Sequence, residues 1–77
     1  MKRYEVIKET FPPCKGTQLP DNSEIQEMQL ENPAQYVQEQ YKKERSIEFL
    51  TTKQDGSTVI EALLEGGRKY RYTFSEL

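Results

Sequence analysis

The sequence predicts an α+β domain: a small antiparallel β-sheet or partly open barrel, built from a C-terminal three-stranded meander and an N-terminal strand, with one helix packed on it. Three observations predict it. Residues 46–74 hold runs of β-branched and aromatic residues punctuated by Asp55-Gly56 and Gly66-Gly67, the turn chemistry of hairpins. Asn32-Pro33 opens a glycine-free stretch with helical spacing, and Arg3 to Glu9 reads as a short strand ahead of the breaker Phe11-Pro12-Pro13.

The meander is the best-marked element. In Lys69-Tyr70-Arg71-Tyr72-Thr73-Phe74 strict alternation sets the three rings on one face and Lys69, Arg71 and Thr73 on the other. Gly66-Gly67 suits a two-residue type I′ turn, since neither residue has a Cβ to oppose positive φ. Counting outward from that turn pairs Glu65 with Arg68, Leu63 with Tyr70, Glu61 with Tyr72 and Val59 with Phe74. Residues 58–65 also fit a helix, with Thr58 and Glu61 as a capping box and Gly66 at C′. The strand is preferred because the glycine pair runs straight into an alternating strand that needs a partner. Upstream, residues 46–52 form the first strand of the meander, and Lys53 to Ser57 its first turn.

In the first strand Tyr4 and Val6 share a face, and Lys15-Gly16-Thr17 marks the turn leading to Leu19. Residues 20–32 are acidic, with Asp21, Glu24, Glu27 and Glu31 around Ile25, Met28 and Leu30. Ile25 and Met28 fit one helical turn, but a strand or an irregular loop is expected, and the composition marks this as the flexible part of the chain. The helix is expected at about 33–43. Asn32 is a favoured N-cap and Pro33 a favoured first residue, while Ala34, Val37 and Tyr41 make a narrow apolar stripe. Lys42, Lys43 and Arg45 at its end complement the helix dipole. Tyr36 and Tyr41, five residues apart, point in different directions, one into the core and one partly exposed.

All 77 residues make a single domain, near the lower limit of what folds alone. With 34% hydrophobic residues against 31% charged, the core is small and the five Tyr and three Phe carry much of it; a homodimer is one way to add buried area. The net charge of -2 argues against a general grip on nucleic acid or anionic membrane. It is uneven: residues 1–41 hold four Lys/Arg against seven Asp/Glu, and residues 42–77 hold seven against six. No apolar run approaches a membrane span and the N-terminus is not an apolar signal region, so a cytoplasmic protein without a membrane partner is expected. One Cys suits a reducing compartment, and without His the common zinc spacings cannot be met.

No signature of a reaction is present, and neither enzyme activity nor a cofactor is expected. Cys14 has Lys15 beside it but no His anywhere to act as its base. Paired carboxylates are many, yet a chain this size has little room for a sugar-binding cleft, and the acidic segment matches no calcium loop. Two surfaces are candidate interfaces. Tyr36, Tyr41, Lys42, Lys43 and Arg45 place aromatic and basic groups at one helix end, the mixture that anchors protein partners; the acidic segment from Asp21 to Glu31 is a second protein-binding candidate. Arg68, Lys69 and Arg71, interleaved with Tyr70 and Tyr72, resemble a single-stranded nucleic-acid platform in composition. Alternation, however, separates Lys69 and Arg71 from the rings.

The opening Tyr4-Glu5-Val6-Ile7-Lys8, followed by Lys15-Gly16-Thr17 and Leu19, together with the closing Tyr70 to Phe74, resembles the layout of small SH3-like barrels. The helix is longer than such a barrel carries. In general style the chain is also similar to short reading frames of phages and mobile elements in Gram-positive bacteria. The resemblance implies a binding module, often one that modulates a host protein, and assigns no functional residues. The leading expectation is therefore a non-enzymatic protein-interaction module, with a nucleic-acid binder as the alternative.

Overall fold

The computed structural model describes residues 2–12, 22–44 and 46–77. Its elements run β1 (Lys2–Phe11), β2 (Asn22–Leu30), α1 (Pro33–Gln40), β3 (Ile47–Gln54), β4 (Ser57–Leu64) and β5 (Lys69–Glu76). The strands form one antiparallel sheet in the order β2-β1-β5-β4-β3, giving the small α+β fold that the sequence predicts. Residues 58–65 are strand and not helix. The acidic segment forms β2, an edge strand with most of its residues exposed, so neither the helical turn nor the irregular loop is adopted there. Among the described residues β2 and β3 remain the two edges of an unclosed sheet, which is not the barrel that an SH3-like layout implies. The expected Lys15-Gly16-Thr17 turn lies outside the described residues.

The β4–β5 register differs by one residue from the expected one. Ile60 faces Tyr72, Ala62 faces Tyr70 and Thr58 faces Phe74, where the two-residue loop put Glu61, Leu63 and Val59. The loop holds three residues, Glu65, Gly66 and Gly67, closed by the Leu64 amide on the Arg68 carbonyl at 2.9 Å and the Gly67 amide on the Leu64 carbonyl at 3.3 Å. Gly66 and Gly67 have φ of 92° and 90°, while Glu65 keeps negative φ; the Leu64–Gly67 turn thus has type II character and is not type I′. A one-residue slip exchanges the faces of a strand. The expected register would have put the Glu61 carboxylate among the rings, whereas the observed one buries Ile60 and Ala62 there and sends Glu61 to the other side.

The core lies between α1 and one face of the sheet. Tyr4, Val6, Ile60, Tyr72 and Phe74 rise from β1, β4 and β5 to meet Val37, and Phe74 and Val37 are wholly buried. The rings pack edge to face: Tyr4 on Phe74 with centroids 6.1 Å apart, Tyr36 on Phe74 at 6.2 Å and Tyr36 on Tyr72 at 6.5 Å, contacts worth about 0.5–1.5 kcal/mol each beyond area burial. The helix start is as expected. The Asn32 side chain accepts from the Ala34 amide at 3.0 Å and the Gln35 amide at 3.3 Å, and Pro33 stands at the first position. The helix stops at Gln40, three residues short of the expected end, with Tyr41 as C-cap, so Lys42 and Lys43 fall beyond its last turn.

Asn32→Ala is expected to cost about 1 kcal/mol through loss of the cap, and Ile60→Val a similar ~1 kcal/mol through lost packing in a filled core. Urea denaturation of each variant, with the slope unchanged, measures both; a neutral Asn32→Ala would mean that tertiary packing alone holds the helix start.

Candidate functional site

The side of the sheet under α1 carries a connected set of tyrosines. Tyr41, the C-cap four residues after the buried Val37, packs its ring over β5 beside Tyr36, and both are half-buried against the core. Their five-residue spacing therefore does not point them apart: both rings meet Tyr72, and both stay partly exposed. The Tyr41 and Tyr72 hydroxyls share a hydrogen bond of 2.7 Å, and the Tyr41 ring also lies 5.5 Å from Tyr70 and 6.4 Å from Phe49. Burial pushes both phenols above the ordinary tyrosine range; the shared bond lifts Tyr41 further and holds Tyr72 back, while the nearby Glu24 carboxylate adds to the rise at Tyr72. Lys8 reaches into the same region, its Nζ 5.5 Å from the Tyr70 centroid and 5.9 Å from that of Tyr72. Such distances allow cation–π attraction.

The opposite side of the sheet is covered by no other element among the described residues, and its side chains form rows fixed by the register. One row crosses all five strands: Ile25, Ile7, Thr73, Val59, Thr52, every residue β-branched. Beside it runs Ser23, Glu9, Arg71, Glu61, Leu50. Ile25 is 69% exposed and Leu50 53%, and both lie on this side. The cations here are neutralised in place. Arg71 Nε donates to Glu9 Oε1 at 2.8 Å, Lys69 Nζ lies 3.3 Å from Glu61 Oε2, and Arg3 lies 3.5 Å from Glu27. Lys69 and Arg71 also cap the buried Phe11 ring at 4.5 and 4.9 Å.

This geometry places every sequence-predicted site residue that falls in the described parts of the chain. Lys42 and Lys43 are exposed past the helix, Tyr36 and Tyr41 belong to the ring cluster, and Arg45 lies outside the described residues, as do Cys14 and Asp21. Glu24, Glu27 and Glu31, from the acidic candidate surface, are exposed, on β2 or just after it. Arg68 is exposed at the β4–β5 loop, while Lys69 and Arg71 stand on the side of the sheet away from Tyr70 and Tyr72. Sequence reasoning missed Lys8 and the β-branched row. Lys8 shares the parity of Tyr4 and Val6, which was a usable signal; the row needs the register.

A cavity of about 420 Å³ opens between the start of α1 and the β3–β4 turn, and includes Lys2, Asn32, Lys53 and Glu76. Three of its polar groups are already engaged: Asn32 holds the helix amides and Lys2 pairs with Glu76 at 2.9 Å. A second cavity of about 210 Å³ lies between α1 and the β1–β2 edge and includes Lys8, Glu24, Met28, Tyr36 and Tyr72. Among the described residues no group of three or more Cys, Asp or Glu is placed to hold a metal ion, and no helix is long and apolar enough to cross a membrane. The class that fold and surfaces define is a small, open-sheet α+β domain. Compared with protein-family models, curated proteins and solved structures, the chain matches none.

Tyr41→Phe and Tyr72→Phe are each expected to cost about 1 kcal/mol, and the double variant less than the sum, because a lone buried hydroxyl is worse than none; a double-mutant cycle in urea measures the coupling. Both phenols are raised, so the folded state keeps protons that the unfolded chain releases above about pH 10. Their contribution is fully present below that pH and is lost as pH rises beyond it. Alkaline denaturation followed by phenolate absorbance checks this, and the double Phe variant should show the shallower loss.

Proposed function

We propose that the chain is a non-enzymatic protein-interaction module of the cytoplasm that docks a partner on the side of the sheet away from α1. The observation that carries this reading is the β-branched row from Ile25 to Thr52, flanked by the exposed Leu50, on a side uncovered among the described residues. Five strands at about 4.8 Å spacing and about 26 Å in length present on the order of 600 Å², close to one half of a small specific interface. Charge selects the partner. The side holds Arg3, Lys69 and Arg71 against Glu5, Glu9, Glu27, Glu48 and Glu61, three cations to five carboxylates, so it favours a protein with an aliphatic strip edged by Lys or Arg. The same surplus repels a second copy and a phosphate backbone. A host protein bound by a phage or mobile-element modulator is one setting consistent with the style of the sequence.

The test is affinity capture from lysate with nuclease, at two salt concentrations, comparing the natural chain with Ile25→Glu/Leu50→Glu. Both positions are exposed, so folding should survive, as circular dichroism would verify. A stoichiometric protein partner is expected, weakened about tenfold or more by the double variant and unaffected by Lys42→Glu/Lys43→Glu. Loss through the lysine pair alone would move the site to the helix end, and recovery of nucleic acid alone would overturn the protein reading.

A further inference from the structure

The 210 Å³ groove between α1 and the β1–β2 edge lies on the other side of the sheet and is independent of the docking surface. Its floor is Val6 and Met28, its wall Tyr36 and Tyr72, and its polar groups include Lys8 and Glu24. Lys8 and Glu24 are direct cross-strand neighbours on this side. Lys2, Arg3, Lys69 and Arg71 each have a carboxylate within 3.5 Å; among the described residues Lys8, like the exposed Lys42, Lys43, Lys53 and Arg68, has none within 4.0 Å, but it alone of these is held over two tyrosine rings. The groove thus sets one cation and one anion side by side on adjacent strands, with no direct ion pair between them, next to Met28 and Val6.

We propose that this groove binds a zwitterion of amino-acid size, with its carboxylate on Lys8, its ammonium on Glu24 and an aliphatic side chain over Val6 and Met28. A ligand carrying a carboxylate alone would meet the Glu24 charge, and an amine alone would meet Lys8; the pair together suits a molecule with both. The volume is below the usual ~300 Å³ of drug-sized sites, which limits the ligand to roughly the bulk of leucine. Each end contributes a charge-assisted contact at a partly exposed site.

The experiment is a titration of the full chain, followed by amide and methyl NMR shifts, with three probes of similar shape: L-leucine, leucinamide, which lacks the carboxylate, and 4-methylpentanoate, which lacks the ammonium. Leucine is expected to give saturable shifts at Val6, Lys8, Met28 and Tyr72, with either analogue about tenfold weaker. Lys8→Met and Glu24→Gln, both surface-compatible changes, should each weaken leucine by about tenfold, while Lys53→Met leaves it unchanged. Absence of saturable shifts with leucine up to about 50 mM would overturn the proposal. An equal response to all three probes would also overturn it, because the groove would then be recognising only the aliphatic body.

Discussion

The Tyr72 ring is the contact on which the two layers depend. It stands on β5 near the centre of the sheet, lies against Phe74 in the same strand, meets Tyr36 edge to face, and ties Tyr41 through its hydroxyl. An eight-residue helix with a single wholly buried side chain, Val37, has little independent stability. Its attachment comes from the flanking tyrosines, one before and one after Val37, closing on the same strand. The helix ends at Gln40 with Tyr41 as its C-cap, on the same stripe as Val37, so the ring that follows the helix still faces β5.

Such a core is one-sided, and one-sidedness shapes the rest. With a short helix on one side of five strands, the other side has to be made compatible with solvent by its own residues. It does so with in-plane ion pairs, Arg71 with Glu9 and Lys69 with Glu61, which use up cations that composition alone offers to nucleic acid. The β-branched row beside them suits a pleated surface. It also leaves apolar area that a solvated side does not need, which is why it is read as a docking surface.

How far the sequence revealed this depends on whether a feature is local. Asn32-Pro33 and the alternation of β5 are local, and both were legible. The end of α1 was not, since the run of good helix formers continues through Lys43 and no local breaker marks Gln40 as the last residue. The β4–β5 register was half-legible: the glycines announced a turn, and the cost of placing Glu61 among rings was the clue to its length. β2 hid behind its charge, because an edge strand needs few apolar residues to belong to a sheet. The surfaces were least legible. In sequence Tyr36 and Tyr41 read as interface residues although both pack against the core, and the row from Ile25 to Thr52 exists only once four registers are set.

The strand order has a kinetic consequence. β1 and β5 are neighbours at the middle of the sheet, so the contact joining the two halves of the domain is also among the most distant in sequence; Glu9 and Arg71 are 62 residues apart. Before that seam closes there is a β1–β2 hairpin and a β3–β5 meander, and a lone hairpin of this kind is marginal in water. The entropy of closing so long a loop must be met before most of the core can form. Folding is therefore expected to be slow for the size of the domain and all-or-none, with the central strands exchanging their amide hydrogens only when the whole molecule opens.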